Sequence, residues 1–279
     1  MTISVIVPIY KGNEYLPKLI KMLEENQRNT KHDVELILSN DCPECPLVDV
    51  SSYMIAIKVL ETKKNRGIHG ARVRGLKAAK GEYVIFLDQD DVLVPDAINE
   101  FVRAIGKADI CVANGYEHSR RDKRILFNKT EKIEWSGSLI HHFIEGNKIV
   151  SPGQVLIRKK SIPGVWRNLI MTSNCSDDWF LWILMMKLKR TFSYTSKVVF
   201  LHTFNGHNAS DDRKKMYYSE MEMLGLLRRA GVIKGFEYYL WRTERKYHLA
   251  ETMHSSMNPL LRLTGRINYM FYSVWRKVN

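Results

Sequence analysis

Residues 83–96, YVIFLDQDDVLVPD, set five apolar or aromatic residues directly against three carboxylates within four positions. The run 83–87 reads as a buried strand, because a short β-branched and aromatic run bounded by polar residues fits a sheet covered on both faces. Asp88, Asp90 and Asp91 then crowd like charges at its carboxyl end. Alternate residues of an extended strand end point the same way, so Asp88 and Asp90 can converge. Two carboxylates facing one point suit a hard divalent cation, Mg²⁺ or Mn²⁺. An acidic turn that caps the next helix through Asp91 or Asp96 accounts for the same residues without a metal.

Working outward, the first 115 residues alternate strand and helix signals. Short apolar runs recur as ISVIV (3–7), VELIL (34–38), IAIKVL (55–60) and ICVA (110–113). Between the first two lies NEYLPKLIKMLEEN (13–26), where Tyr15, Leu16, Leu19, Ile20, Met22 and Leu23 keep a helical period. Strands alternating with helices imply parallel βαβ units and an α/β class. Ligands of such sheets bind beyond the carboxyl ends of the strands, which is where the acidic cluster lies. Pro95 is expected as the first position of a helix with Ala97, Ile98, Phe101, Val102 and Ile105 inside and Gly106 at its end. Residues 116–176 are irregular, DDWFLWILMMKL (177–188) reads as a helix apolar nearly all round, VVFL (198–201) as a strand, and HTFNGHNASDD (202–212) as a polar loop. From about 212 the chain reads as helical to its end.

Three further groups bear chemistry. NRGIHGARVRGLKAAKGEY (65–83) combines glycines with Arg66, Arg72, Arg74, Lys77 and Lys80; a glycine-rich turn entering a basic helix can face a diphosphate, or be an exposed basic face. Asp177 and Asp178 open the apolar helix, where they either complement its dipole or offer a rigidly held general base that the dipole keeps ionised. His202 and His207 could ligate the cation or touch phosphate.

The chain of 279 residues carries 43 Lys and Arg against 30 Asp and Glu, a net charge of +13. Nucleic acid, an anionic membrane surface, phosphorylated substrates or a plain basic surface each fit that balance. The basic residues are spread widely with no recognised nucleic-acid motif, which argues against the first. The opening MTISVIVPIY has no signal-peptide pattern, and the longest apolar run, WFLWILMM, is too short to span a bilayer. A cytoplasmic protein, or one peripheral on the inner face of the cytoplasmic membrane, is expected. In the tail NPLLRLTGRINYMFYSVWRKVN (258–279), Leu260, Leu263, Ile267, Met270, Val274 and Val278 recur at helical spacing, with Tyr269, Tyr272 and Trp275 as amphipathic anchors and no acid after Glu251. Such a helix lies in a membrane interface, packs on the domain, or pairs with a second copy as a homodimer. Among Cys42, Cys45, Cys111 and Cys175 only CPEC (42–45) has metal or redox spacing, and two free thiols in a loop are the default.

Taken in order, ISVIVPIYKGNEYL, VELILSND, NRGIHGARVRGLKAAKGEYVIFLDQDD, SDDWFLW and HNAS resemble the family 2 glycosyltransferases of GT-A fold, over roughly 3–210. The resemblance implies Rossmann-like βαβ units within a mixed sheet: residues 1–210 as the glycosyltransferase domain, with a nucleotide-binding half (1–115) and an acceptor half (116–210), then a helical extension (211–279). It also implies roles. Pro8 and Tyr10 would border the nucleotide base and Asp41 would bind the uracil imide. Arg72 would lie near the diphosphate. Asp88 and Asp90 would be the D-x-D pair, with Asp90 the more direct ligand of Mg²⁺ or Mn²⁺; His202 stays a metal candidate on residue type alone. Asp178 would be the base, with Asp177 the second choice, and HNAS (207–210) would end a loop closing over the diphosphate. Departures fall around the base pocket: Lys11 and Val73 stand where Asn is usual, Asn40 where the first Asp of a pair is usual, and Cys42-Pro43 where Gly-Ser is usual. They leave UDP, favoured, open against dTDP or GDP. The implied activity is inverting sugar transfer from a nucleotide sugar to a hydroxyl of a saccharide or lipid-linked saccharide in cell-surface polysaccharide synthesis. A sugar-nucleotide nucleotidyltransferase and a non-enzymatic nucleic-acid binder are the alternatives; the first would want a glycine- and basic-rich loop after the first strand, where only Gly12 stands.

Overall fold

Residues 3–9 are buried without a break, so the first strand, β1 (Thr2–Ile9), is covered on both faces. The computed structural model describes residues 1–118, 123–203, 212–253 and 259–278. β1 pairs in parallel with β2 (Asp33–Asn40) and with β4 (Tyr83–Phe86), and β2 in parallel with β3 (Ala56–Leu60). These four strands form the parallel half that the alternating pattern implied. Beyond β4 the sheet becomes mixed. β8 (Val155–Arg158) runs antiparallel to both β4 and β6 (Ile110–His118), and β9 (Phe192–Thr203) is parallel to β6. The short β5 (Val92–Leu93) closes the order β3-β2-β1-β4-β8-β6-β9-β5, and β7 (Lys123–Ile125) forms an antiparallel pair with β6.

Side chains of alternating parity on β1 build two cores. Val5 and Val7 meet α1 (Leu16–Asn29) and α3 (Ala97–Ile105) through Leu19, Leu23, Ile98 and Phe101. Ile6 meets the opposite layer, α2 (Gly67–Ala78) and α7 (Asp177–Lys187). At Gly75 a Cβ would lie 2.3 Å from Cγ2 of Ile6, so α2 rides closer to the strand than any larger residue permits. That approach brings Arg72, about one turn earlier, over the strand ends.

The all-round apolar character of 177–188 has a plain cause. α7 is enclosed by the sheet on one side and by α5 (Leu139–Glu145) and α8 (Arg213–Arg229) on others, and 179–185 are all buried. α8 and α9 (Gly235–Thr252) contribute Met223, Leu224, Leu227 and Trp241 to the same core as Trp179 and Trp182. The helical segment after 211 therefore shares the core of the preceding domain up to α9. α10 (Pro259–Val278) packs mainly on α9 and touches α5. α4 (Thr130–Glu134) and α6 (Gly164–Asn168) are single turns within the irregular stretch.

Local details depart from the sequence pattern at two helix ends and one strand. α3 starts at Ala97, not Pro95; Asp96 is its N-cap and makes no side-chain cap bond, while the Pro95 carbonyl accepts from Asn29 Nδ2 at 2.9 Å. α1 starts at Leu16, after a 3₁₀ turn at Asn13–Tyr15. The strand expected at 198–201 extends over 192–203, because its pairing with β6 carries it past two register shifts. His207 and the rest of HNAS lie outside the described residues.

Candidate active site

A cavity of about 660 Å³ opens at the carboxyl ends of β1 and β4, just past β2, beside the first turns of α2 and α7. Pro8, Tyr10, Asp41, Arg72, Asp88, Asp90, Asp177, Asp178 and His202 all line it. These nine residues are therefore on one wall system, although they come from separate segments of the chain; His207 lies outside the described residues. β1 ends in Pro8 and Ile9, β2 delivers Asp41, and β4 delivers 88–90.

Arg72 joins the two acidic groups. Its Nη1 donates to Asp177 Oδ2 at 2.8 Å and its Nη2 to Asp88 Oδ1 at 2.5 Å. Arg72 and Asp177 are 3% and 2% exposed, so this is a buried pair with a partly exposed third member. Asp177, Asp88 and Asp178 together more than offset the burial that opposes the charged guanidinium, and hold its pKa above the usual arginine range. The position implied near the diphosphate is thus taken by a cation already engaged with two carboxylates; it lines the cavity, with Nη1 bonded to Asp177 and Nη2 to Asp88.

The four residues of the acidic run have separate tasks. Asp88 and Asp90 are partly exposed to the cavity. Gln89, passed over in the sequence, clamps the end of β1: its Oε1 accepts from Tyr10 N at 3.0 Å and its Nε2 donates to Tyr10 O at 3.4 Å. Its position between the two aspartates was the only signal. Asp91 is 3% exposed and turns away from the next helix. It accepts from Ser151 Oγ at 2.7 Å, from Thr203 N at 3.3 Å and pairs with His202 Nδ1 at 2.9 Å. Asp96 occupies the N-cap of α3 without a side-chain cap bond, and Asp91 bonds elsewhere, so side-chain capping does not explain the cluster. Burial pushes the Asp91 carboxyl up to about 6, although His202 and Ser151 oppose the shift. Burial pulls His202 down, but its bond to Asp91 prevails and the imidazole titrates above its ordinary value.

Asp178 is half-buried, at the first turn of α7 and on the cavity wall. Its Oδ1 accepts from Trp179 N at 2.7 Å and its Oδ2 from Asn147 Nδ2 at 3.2 Å. Desolvation, then the neighbouring Asp177 charge, push it up to about 7 against the pull of Arg72. The helix N-terminus was expected to keep this carboxylate ionised; burial beside a second acid is the larger effect. Asp177, by contrast, is tied to Arg72, and its backbone carbonyl accepts from Trp166 Nε1 at 2.8 Å. Asn147 had no signal in the sequence, since it approaches from the loop after α5.

The corner of the cavity around Asp41 is held from below. Asp41 accepts from Arg66 N at 3.0 Å and pairs with Arg74 at 3.4 Å, and burial raises its pKa against these partners. Asn40, where an acid is usual in the resemblance, uses its amide to bind the carbonyls of Cys42 and Cys45 and Glu61 Oε2. Cys42 and Cys45 are free thiols. Lys11, where Asn is usual, has φ of 50°, a left-handed conformation that Asn tolerates better than Lys.

Asp88, Asp90 and His202 offer hard oxygen donors and an imidazole nitrogen, a set that suits Mg²⁺ or Mn²⁺. Among the described residues the one group of three donor atoms gathered within 4.8 Å is Cys42, Glu44 and Cys45, so the acid pair and His202 do not form a closed three-ligand cage. That openness fits Mg²⁺-type sites, which use one or two carboxylates and leave the remaining positions to water and substrate phosphate. With Nδ1–H directed at Asp91, His202 has the orientation of a metal-binding histidine supported by a carboxylate.

Known proteins resemble this chain in sequence and in fold. Residues 4–166 match the family model described as Glycosyl transferase family 2. An uncharacterized glycosyltransferase of Haemophilus influenzae is 23% identical over 256 residues, covering 85% of this chain and 93% of its own. Glycosyltransferase GlyG of Streptococcus pneumoniae is 28% identical over 134 residues, 46% of this chain and 44% of that protein. Four curated relatives are matched over only 34%, 44%, 33% and 40% of their own lengths. Among solved structures, S. aureus TarS 1-349 in complex with UDP-GlcNAc aligns with a TM-score of 0.57 at 18% identity, over 91% of this chain and 72% of that one. Mannosyltransferase PcManGT from Pyrobaculum calidifontis, in complex with GDP-Man and Mn²⁺, aligns with a TM-score of 0.57 at 13% identity, over 98% and 75%. The mixed sheet with its cavity at the strand ends is the GT-A fold of these structures, and with the family match over more than half its length the chain belongs to glycosyl transferase family 2.

Proposed function

We propose that the protein transfers a sugar from a nucleotide sugar to an acceptor hydroxyl with inversion, in a metal-dependent single displacement. The observation that carries this reading is the joint exposure of Asp88, Asp90 and Asp178 to one cavity whose far corner holds Pro8, Tyr10 and Asp41. Pro8 and Tyr10 border the base and Asp41 binds it. Asp90 and Asp88, with His202 beside them, would hold Mg²⁺ or Mn²⁺. When bound, the cation supplies positive charge where the nucleoside diphosphate departs. Arg72 keeps Asp88 and Asp177 in place and adds its own field. Asp178 accepts the acceptor hydroxyl proton; a carboxylate titrating near 7 suits that task, because base strength and ionised fraction are then both useful at neutral pH.

A UDP-sugar is favoured because Asp41 lies at the base corner, and solved relatives of this fold bind UDP-GlcNAc or GDP-Man. The acceptor is a saccharide or lipid-linked saccharide of cell-surface polysaccharide synthesis, met at the inner face of the cytoplasmic membrane. A panel of nucleotide sugars with and without Mn²⁺, read by thermal shift and by nucleoside diphosphate release, tests the reading. Metal-independent stabilisation, or release of pyrophosphate from a nucleoside triphosphate instead, would overturn it, the latter in favour of a nucleotidyltransferase.

A further inference from the structure

α10 has two faces suited to packing, and the fold uses the less apolar one. Gly265 is buried against α9, where a Cβ would lie 2.4 Å from Tyr247 Cδ2. Three residues on, Asn268 Nδ2 donates to Glu244 Oε2 at 2.6 Å, and Glu244 is buried. A close small-residue contact and a buried polar bond together fix the rotation of the helix about its axis. At 3.6 residues per turn, Leu260, Leu263, Ile267, Met270, Phe271 and Val274 then fall on a stripe roughly 100° wide on the other side. They are exposed, from 39% at Ile267 to 71% at Leu260. Isolated exposed apolar residues are ordinary, but a contiguous stripe marks a contact surface.

The surroundings of the stripe are basic. Arg262 and Arg266 are exposed on the same helix. A groove of about 670 Å³ at the amino end of α10 is lined by Leu260 and Leu261 together with Arg242 and Lys246 of α9. No Asp or Glu follows Glu251 in the sequence. No helix among the described residues, α10 included, is long and apolar enough to cross a membrane. A second copy of the chain is a poorer occupant, since an isologous pairing of this face would bring two basic rims together with no acid on the helix to meet them.

We propose that the Leu260–Val274 stripe of α10 docks in the interface of an anionic lipid bilayer, with Arg242, Lys246, Arg262 and Arg266 facing the lipid phosphates. An amphipathic helix of this kind is held jointly by apolar burial and by attraction to anionic headgroups. The surface property is independent of the sugar-transfer chemistry.

Sedimentation of the full chain with phosphatidylcholine vesicles, with and without phosphatidylglycerol, tests this. Wild-type protein is expected in the pellet only with phosphatidylglycerol, with less bound at high salt. The double variant Ile267→Asp/Met270→Asp should lose roughly tenfold or more of its vesicle affinity, and Arg262→Ser/Arg266→Ser about fivefold per arginine. Both pairs are solvent-exposed, and thermal melting of each variant checks that the fold is kept. Vesicle binding unchanged by the aspartate pair would overturn the proposal. So would wild-type protein that ignores vesicles but forms a concentration-dependent dimer dissolved by the same variant; that result would assign the stripe to a second copy.

Discussion

Arg72 Nη1 lies 2.8 Å from Asp177 Oδ2, deep between α2 and α7, and the same guanidinium reaches Asp88 at the end of β4. One cation thus ties two helices and the central sheet together beneath the cavity. Removing one partner of a buried ion pair leaves an uncompensated charge, which typically costs about 3–5 kcal/mol. Arg72→Met should therefore lower unfolding free energy by about that amount in urea denaturation. Arg72→Lys should recover only part of it, because a single ammonium cannot fork between two carboxylates as a guanidinium does. An unchanged midpoint for Arg72→Met would mean that the acids relax into solvent and that the bridge contributes little.

Asp178→Asn should reduce transfer by about 10²–10⁴-fold while donor binding is kept, since general-base assistance is of that size. The wild-type pH profile carries the sign. A base with a pKa pushed up to about 7 is protonated and inactive below it, so the rate falls by about tenfold per pH unit under pH 7 and levels above. Stopped assays from acid to mildly alkaline pH at saturating donor locate that limb. Full activity in the Asn variant would move the base to Asp177, which the geometry disfavours because Arg72 already engages it.

Asp90→Ala should abolish the metal-dependent part of donor binding, measured by calorimetry with UDP-sugar in the presence and absence of Mn²⁺. Asp90 and Asp88 line the cavity, Asp88 being also bonded to Arg72, while Asp91 bonds Ser151 and His202. Donor binding that keeps its metal dependence in this variant would sink the assignment of the cluster.

The parts of the site that lie within one continuous motif were legible in the sequence. Strand periodicity located β1, β2 and β4, and the rule that ligands sit beyond their carboxyl ends placed Asp88 and Asp90, whereas Asp41 came only from the family resemblance. The bonds of Asp91 to Ser151 and His202 could not be read, because these partners are far away in the chain and only the fold brings them near. Asn147 was invisible for the same reason. The direction of the Asp178 shift could not be read either, since it depends on how much protein surrounds the carboxylate rather than on its place at a helix start. For α10 the pattern showed the apolar stripe but not which face would pack; that choice rests on Gly265 meeting Tyr247.

Lys11 is a local departure with a measurable consequence. Its φ of 50° places an ordinary side chain in the left-handed region, which costs roughly 1–2 kcal/mol for residues other than Gly and Asn. Lys11→Asn should raise stability by roughly 1 kcal/mol, because the Asn side chain bonds locally in that conformation. Thermal or urea unfolding reads it directly, and a neutral or destabilising result would show that the Lys11 contact with the Tyr10 ring, at 5.6 Å, matters more than the backbone term.

Asn147 offers the sharpest separation between holding the base and doing something else. Its Nδ2 donates to Asp178 Oδ2 at 3.2 Å, from a loop that leaves α5 through Gly146 at φ of 87°. Arg245 secures that exit by donating to the carbonyls of Phe143 and Ile144 while lying over the Trp179 ring at 5.3 Å. A hydrogen bond to the ionised carboxylate favours the ionised form. Losing it in Asn147→Ala should lift the Asp178 pKa further above its ordinary range, and so shift the acid limb of kcat to higher pH. Activity should fall by about two- to fivefold at pH 7 and recover at pH 9, roughly what a shift of half to one pKa unit gives for a base half ionised at pH 7. Donor KM should stay the same, because the amide faces the base and not the nucleotide corner. A loss of equal size at both pH values would instead show that Asn147 sets the position of the carboxylate rather than its charge, and a rise in donor KM would place the loop at the sugar.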